Sequence, residues 1–157
     1  MKAVEFLAKV NISSIVEWLA LIDFTEWPQM QDMERKGTKP EMVIMVADTT
    51  WHNFGEVVKP VIDSLTPTEC TAVNPMLSLI MPGYSIRPHV DEQPPYWCYR
   101  IHVPLITNPD AIFIADNENY YMTAGSAYKI DTRAVHQIIN NGITPRIHLM
   151  WDINQGE

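Results

Sequence analysis

The sequence is poor in cysteine and in basic residues. Of its 157 residues only Cys70 and Cys98 are cysteine, and they form no Cys-x-x-Cys motif. Two isolated cysteines do not make a disulfide framework, so we expect buried thiols and a reducing, cytoplasmic setting. Eleven Lys and Arg against nineteen Asp and Glu give a net charge of −8. We expect no nucleic-acid partner, because a duplex-binding surface needs a dense basic patch.

Long hydrophobic runs are also lacking. No apolar stretch approaches the roughly 20 residues that cross a bilayer, so we expect no membrane association. Glu5, Lys9 and Glu17 interrupt the apolar residues near the N-terminus, and we expect no secretory signal. The 46% hydrophobic content suffices for one core, and the length predicts a single domain over 1–157. Oligomeric state is left open.

The first part of the chain, 1–68, predicts a helical support region. Ser14-Ile-Val-Glu17 has the pattern of a capping box and predicts a helix through about Ile22. Thr50 is a candidate cap for a second helix that Thr66-Pro67 would end. The remaining predicted elements of this region are a loop or short helix (29–40), a strand (41–47) and the body of the second helix (51–65).

Short strands separated by turn residues dominate 69–157. The pattern is typical of a mainly β protein with a double-stranded β-helix core, the jelly-roll or cupin-like fold. We expect two or three N-terminal helices to pack on one of its sheets. Asn140-Asn141-Gly142 predicts a hairpin turn, since Asn and Gly tolerate positive φ. The predicted strands are 70–82, 84–90, 98–106, 111–115, 119–122, 126–131, 135–139 and 145–152.

Three residues form a candidate metal site. In extended chain His89 and Asp91 point to the same face, because side chains alternate along a strand. A jelly-roll would bring His136 alongside them, and two imidazoles with one carboxylate form the facial triad of non-haem iron oxygenases. Taken singly, His89 and Asp91 also fit a surface loop, and His136 also fits a core histidine.

Cationic residues near this triad suggest an anion pocket. Arg146, ten positions after His136, begins an otherwise apolar strand. A buried arginine needs an anionic partner, and its planar fork suits the distal carboxylate of 2-oxoglutarate. Arg100 and His102 share one strand face and could point inward together. Each of these residues would otherwise be a cation on a solvated face or sheet edge.

Residues 78–152 resemble the catalytic domain of the aspartyl/asparaginyl β-hydroxylase family of 2-oxoglutarate- and Fe(II)-dependent oxygenases. The resemblance covers about the last half of the chain and rests on several ordered pieces rather than one motif. These are Ser78-Leu-Ile-Met-Pro82-Gly83, Pro88-His89, Tyr99-Arg100-Ile-His102, Ala124-Gly125-Ser126, Ile130-Asp131, His136 and Arg146-Ile-His-Leu-Met-Trp-Asp152.

The resemblance implies roles for these residues. His89 and His136 would ligate Fe(II), and Ser78 with Arg146 would bind the distal carboxylate of 2-oxoglutarate. Arg100 and His102 would lie near the metal-chelating end of this co-substrate.

Asp91 departs from the animal hydroxylases that name the family, which look to have glycine at this position. It restores the three-ligand triad of the wider superfamily and argues against halogenase chemistry, which needs the position vacated. It also weakens transfer of the animal substrate, an aspartate or asparagine in a disulfide-rich module.

We therefore expect a dioxygenase that hydroxylates a C–H bond of a peptidyl residue, an amino acid or a small metabolite. Three alternatives stay open: a metal-dependent cupin enzyme that does not use 2-oxoglutarate, a non-catalytic ligand-binding or sensor module, and a zinc hydrolase with His102 or His148 as base. Candidates for the substrate mouth are Trp51, Tyr84, Arg87, Tyr96 and Trp97.

Overall fold

The computed structural model of the protein describes residues 2–28 and 43–156. In these ranges strands predominate, and two α-helices lie in the first half of the chain. The helices are α1 (Ser13–Ala20) and α2 (Phe54–Leu65), with short 3-10 turns at Phe24–Glu26 and Trp51–Asn53. The strands are β1 (Val4–Lys9), β2 (Val43–Val46), β3 (Thr71–Ile80), β4 (Ser85–His89), β5 (Trp97–Ile106), β6 (Ala111–Ala115), β7 (Glu118–Tyr120), β8 (Ser126–Ile130), β9 (His136–Asn140) and β10 (Arg146–Asn154).

Two antiparallel sheets form the body of the protein. The larger has the order β1-β8-β5-β10-β3-β2, and the smaller has the order β4-β9-β6-β7. Strand β10 lies inside the larger sheet between β5 and β3, and nearly all of its residues are buried. Both faces of β10 are covered, one by an apolar core and the other by polar groups. Apolar and polar side chains therefore alternate along the strand. Ile147, Leu149 and Trp151 enter an apolar core, whereas Arg146 and His148 are polar and equally buried.

The apolar residues divide between two layers. On one side of the larger sheet, residues of α1 and α2 such as Ile15, Phe54 and Val58 pack against Leu77 and Leu149. This layer closes the outer face of the sheet. A second cluster lies between the sheets and joins residues of the larger sheet to residues of the smaller one (Val4, Val43, Ile80, Ile86, Phe113, Ile130, Ile138). The polar faces of β3, β5 and β10 therefore meet the smaller sheet.

The mainly β, jelly-roll prediction is confirmed. Each of the eight strands predicted after residue 69 is present, with ends displaced by a few residues at most. The predicted packing of helices on one sheet is also confirmed. The strand predicted over 41–47 is β2, whereas the prediction for 29–40 lies outside the described residues. Neither helix of the described ranges combines the length and apolar character needed to span a membrane.

The front region is less helical than its sequence suggests. Strand β1 pairs with β8 at the edge of the larger sheet, so the region before residue 69 contributes strands as well as helices. The sequence gives little sign of it, because Phe6 and Leu7 are exposed on this edge and break the usual alternation.

Both predicted helix caps are wrong, although both helices exist. Ser14 lies inside α1, whose preceding residue makes no side-chain cap; instead the Asn11 amide oxygen accepts from the Ser13 N–H at 3.0 Å. Thr50 has helical backbone angles and does not cap the turn that follows. The Asp48 carboxylate accepts from both the N–H and the hydroxyl of Thr50. In both places the accepting side chain lies two residues before the N–H that donates to it. This arrangement is an Asx turn, which competes with the predicted cap.

The predicted hairpin at Asn140-Asn141-Gly142 is wrong, because β9 and β10 lie in different sheets and do not pair; the segment instead carries the chain from one sheet to the other. Neither Asn141 nor Gly142 has a positive φ. Glycine is required at 142 because a Cβ there would overlap the side chain of Asn108. That amide donates to Asn140 Oδ1 at 3.1 Å and to Thr144 O at 3.1 Å, which ties the turn to the β5–β6 loop.

We predict that Gly142→Ala destabilises the protein by about 1–3 kcal/mol, the cost of hydrogen bonds lost when the Asn108 amide is displaced. The neighbouring Ile143→Ala is the matched control. Ile143 is 93% exposed, and its truncation should change the free energy of unfolding by no more than about 0.5 kcal/mol. Urea unfolding followed by tryptophan fluorescence measures both. Equal stabilities for the two variants would contradict the role assigned to Asn108.

Candidate metal centre and anion pocket

Two histidines face each other across the smaller sheet. His89 ends β4, His136 begins β9, and the two residues are direct partners in the antiparallel ladder. Their ring centroids lie 4.3 Å apart, as the short side-chain separation across such a pair requires. Phe113 stacks on the His136 ring at 5.7 Å and fixes its plane.

The backbone sets the tautomer of both rings. His89 Nδ1 lies 2.7 Å from the Arg87 carbonyl, and His136 Nδ1 lies 2.8 Å from the Ala134 carbonyl. A carbonyl only accepts, so each Nδ1 carries the proton and each Nε2 keeps its lone pair. Metal-binding histidines are oriented in this way.

Asp91 completes the cluster. Its carboxylate oxygens lie 3.5 Å from His89 Nε2 and 3.5 Å from His136 Nε2. One candidate ligand atom from each of the three residues lies within 4.8 Å of the other two. Hence the structure brings together the three residues that the sequence predicted as metal ligands. The Asp91 N–H donates to the Thr132 carbonyl at 3.0 Å, which anchors the segment that follows β4.

The surroundings of Asp91 keep it ionised. Burial acts to raise its pKa, whereas the Arg100 guanidinium, which donates to Asp91 Oδ2 at 3.0 Å, lowers it, and so does each histidine ring whenever its Nε2 is protonated. The pKa of this carboxyl therefore lies well below its ordinary value. An ionised carboxylate beside two imidazole lone pairs forms a donor set for a divalent transition metal.

Arg100 is held by two acids. Its Nε and Nη2 donate to the two oxygens of Asp152, at 2.8 and 3.2 Å, and its Nη1 donates to Asp91 Oδ2 at 3.0 Å. Asp152 is fully buried and lies opposite Arg100 in the β5–β10 ladder. The Gln93 amide also donates to Asp152 at 3.1 Å. This arrangement fixes the position of the Asp91 carboxylate through the guanidinium.

Arg146 is also buried, but its neighbours differ from those of Arg100. It is 2% exposed, and among the described residues no carboxylate lies within ion-pair distance of it. Its Nη2 contacts His148 Nδ1 at 2.8 Å and its Nη1 donates to Ser78 Oγ at 3.4 Å. Burial lowers the pKa of the guanidinium to about 9, which still leaves it cationic at neutral pH. A buried cation that is not neutralised within the protein is a strong site for an anion.

A cavity of about 50 Å³ lies between the sheets beside the metal cluster, whereas Arg146 and His148 border a separate space of about 10 Å³. The larger sheet contributes Ser78, Arg100 and His102, and the smaller sheet contributes His89 and His136. The parity argument that put Arg100 and His102 on one inward face is consistent with this lining. His102 is buried and lies 3.1 Å from His148, Nδ1 to Nδ1.

A groove of about 500 Å³ opens beside the metal cluster. His89 and Asp91 form its inner wall, and Trp97 is the residue of the predicted substrate mouth that lines it. Trp51 instead packs against Trp18 and Trp27 in the helical layer. The other lining residues are Asn74, Val90, Glu92, Gln93 and Arg100.

Asp152 received no role from the sequence, and His148 received only that of a base in the zinc-hydrolase alternative. Asp152 neutralises Arg100, and His148 contacts both Arg146 and His102. A signal existed for both, since they share the parity of Arg146 along an apolar strand. Their contacts with Arg100 and His102 could not be read from that signal, because those two residues lie on β5, a strand distant in sequence.

Comparison with known proteins identifies the family. The sequence profile described as aspartyl/asparaginyl beta-hydroxylase matches residues 49–155, well over half of the chain. The chain belongs to the aspartyl/asparaginyl β-hydroxylase family. The match contains all three candidate metal ligands together with Arg146, and it begins before α2, earlier than the resemblance seen in the sequence. No curated protein sequence matches the chain significantly.

Solved structures share the fold of this β-hydroxylase family member. A 2OG-Fe(II) oxygenase family oxidoreductase from Burkholderia pseudomallei superposes with a TM-score of 0.66 at 9% identity, covering 98% of this chain and 85% of that one. The viral collagen prolyl hydroxylase of Paramecium bursaria Chlorella virus-1, solved with 2OG, gives 0.64 at 10% identity, covering 99% and 97%. A predicted oxalate decarboxylase from Thermotoga maritima gives 0.51 at 20% identity, covering 81% and 90%. At these identities the likeness establishes the fold alone.

We predict that Asp91→Ala weakens Fe(II) binding at least 100-fold, because a ligand is lost; the loss of a mere outer-shell partner already costs about 10–100-fold. Asp110→Ala is the matched control, since Asp110 is exposed and lies outside the cluster. Anaerobic titration with Fe(II), or with Co(II) as a coloured substitute, measures the affinity. Similar affinities for the two variants would remove Asp91 from the site.

Proposed function

We propose that this chain is an Fe(II)- and 2-oxoglutarate-dependent oxygenase that hydroxylates a C–H bond of a peptidyl residue, an amino acid or a small metabolite, with release of succinate and CO2. The observation that carries the proposal is a juxtaposition. The His-Asp-His cluster lines a cavity together with Ser78, and the Ser78 hydroxyl accepts from Arg146, a buried cation with no carboxylate in ion-pair distance among the described residues. Family membership supports the same reaction class.

His89, Asp91 and His136 would hold the iron. The donor set fits Fe(II), because two neutral imidazoles and one carboxylate occupy one face of an octahedral ion and leave the opposite face open. Iron bound there, with 2-oxoglutarate and O2, supplies an oxidant able to break a C–H bond. The protein's share of the work is to orient these ligands. The carbonyls of Arg87 and Ala134 hold the rings and Arg100 holds the carboxylate.

Arg146 and Ser78 would bind the distal carboxylate of 2-oxoglutarate. The guanidinium offers donors in a planar fork, and the serine hydroxyl at 3.4 Å adds one more. The buried position strengthens this interaction, since few water dipoles compete in a low-dielectric site. The same burial makes the pocket selective, because a neutral ligand would leave the cation uncompensated.

The role of Arg100 and His102 at the metal-chelating end remains a prediction from the family resemblance. Arg100 already satisfies Asp91 and Asp152. Its described contacts favour a role in holding the Asp91 carboxylate against the metal. His102 lines the cavity between the metal cluster and Ser78, where the co-substrate would lie.

Substrate would reach the metal through the groove that His89, Asp91 and Trp97 line. This groove is about ten times larger than the inner cavity. Its size suits a side chain or a small molecule entering from solvent, whereas the inner cavity suits a compact anion.

Succinate formation decides the reaction class. The protein is loaded with Fe(II) without oxygen, then given 2-oxoglutarate, air and pools of amino acids, peptides and metabolites. We expect succinate even without a substrate, by uncoupled turnover, and a product heavier by one oxygen atom from a reactive pool. His136→Ala should give neither. Oxygen uptake independent of 2-oxoglutarate would favour a cupin-type enzyme, and binding without succinate would favour a sensor module.

We predict that Arg146→Lys raises the KM for 2-oxoglutarate about 10- to 100-fold, since a point charge replaces the fork and a charged hydrogen bond is worth about 1.5–3 kcal/mol. The kcat should change much less, because the lysine retains the charge. Arg87→Lys, at an exposed arginine, is the control and should leave KM unaltered. An unchanged KM in Arg146→Lys would show that the anion pocket lies elsewhere.

A further inference from the structure

His148 is a buried histidine that the proposed mechanism does not use. It lies on β10 two residues after Arg146, directly opposite Ser78 of β3 and Pro104 of β5. Its exposed fraction is 2%. One atom, Nδ1, makes both of its described hydrogen-bond contacts, at 2.8 Å to Arg146 Nη2 and at 3.1 Å to His102 Nδ1.

The contact with Arg146 determines where His148 carries its proton. A guanidinium has five N–H donors and no acceptor. His148 Nδ1 must therefore accept, which requires a bare lone pair on that nitrogen. A neutral imidazole holds one proton, so the proton of His148 is on Nε2.

The contact with His102 then determines the second ring. A hydrogen bond between the two Nδ1 atoms needs one proton between them, and His148 has none there. His102 must supply it and carry its proton on Nδ1. Burial comes first among the causes that keep the pKa of both rings well below the ordinary histidine value, followed by the nearby Arg146 charge. Both rings are therefore neutral, and His102 keeps its lone pair on Nε2.

We propose that His148 is a positioning residue of the co-substrate pocket, which orients the Arg146 guanidinium through Nδ1 and at the same time imposes the Nδ1–H tautomer on His102. The identity of the ligand rests on the function proposed above; the protonation pattern does not. Since Nη2 of Arg146 is engaged by His148, and Nη1 faces Ser78, the fork is held in one orientation before the anion arrives. Preorganisation of this kind lowers the ordering cost of binding.

The assignment gives His102 a definite chemistry. With Nδ1–H directed to His148, its Nε2 is an acceptor in the neutral ring. His102 borders the cavity that also contains the metal cluster. A neutral His102 then contributes no donor to a carboxylate from Nε2, so the anion pocket depends on Arg146 and Ser78 for its donors more than the sequence pattern suggests.

Two variants test whether the hydrogen-bond acceptor at His148 Nδ1 matters, or only the volume of the side chain. His148→Asn places an amide oxygen, an acceptor with two lone pairs, near the position of Nδ1. His148→Leu fills similar space without an acceptor. Leu149→Met, on the same strand but in the apolar core on its other face, is the control for an apolar change of similar volume on this strand.

The first measurement is the ¹⁵N NMR spectrum of the histidine rings in the full chain, with and without Zn(II) as a diamagnetic metal. We expect Nδ1–H at His102 and Nε2–H at His148 in the unmodified protein. In His148→Asn the His102 signal should be retained, and in His148→Leu it should move toward Nε2–H. An Nε2–H His102 in the unmodified protein would overturn the proposal, whatever the variants do.

The second measurement is the KM for 2-oxoglutarate in succinate release. We expect His148→Leu to raise it about tenfold, the effect of losing one hydrogen bond to a charged group, with kcat little changed. His148→Asn and Leu149→Met should stay within about threefold. Equal KM values for the Leu and Asn variants would overturn the positioning role. If no succinate forms at all, the proposed function fails, and the NMR result still decides the tautomer.

Discussion

The burial of the Arg146 guanidinium, with no acid beside it among the described residues, is the constraint around which the site is arranged. Enclosing an unpaired charge between two sheets is costly, and the described contacts offset only part of that cost, through Ser78 and His148. The charge also suppresses protonation of its neighbours, since Arg146 is among the causes that lower the pKa of His102 and His148. One fixed positive charge results, instead of three competing ones.

Arg100 shows the opposite solution on the same side of the larger sheet. Its Nε lies 2.8 Å from Asp152 Oδ1 and its Nη1 lies 3.0 Å from Asp91 Oδ2, so two carboxylates of the protein neutralise its charge. The inner region therefore runs from the buried cation Arg146, through Ser78, to an ionised carboxylate between two imidazoles. A ligand that chelates a metal at one end and carries a carboxylate at the other matches this polarity. Because Arg100 is neutralised by acids and Arg146 is not, positive charge is available at only one end of the region.

Local patterns in the sequence predicted the strands well, but they did not predict which side chains would contact each other across the sheet. The i, i+2 parity placed Arg100 with His102 toward one cavity, because alternation is a property of the strand itself. Strand ends were close for the same reason. His89 and Asp91 line the same cavity, although Asp91 follows the end of β4. The partner of Arg100 was not predictable, since Asp152 lies 52 residues away and only the ladder between β5 and β10 brings them together. Strand β1 escaped notice because edge strands expose apolar side chains, and both caps failed because Asn11 and Asp48 form competing local hydrogen bonds.

The fold by itself does not decide the chemistry. The same fold superposes on oxygenases and on a predicted oxalate decarboxylase, and one fold can host many reactions. A cluster of three metal ligands restricts the possible reactions to those of metal enzymes. Some of these enzymes, however, need no anion site beside the metal. Arg146 restricts the possible reactions further, because retaining an uncompensated buried cation costs stability in any protein that never binds an anion there. The contacts of Ser78 and His148 with its two terminal nitrogens point the same way. They hold the guanidinium in place without neutralising it, and the carboxylate of a bound anion would supply the missing negative charge.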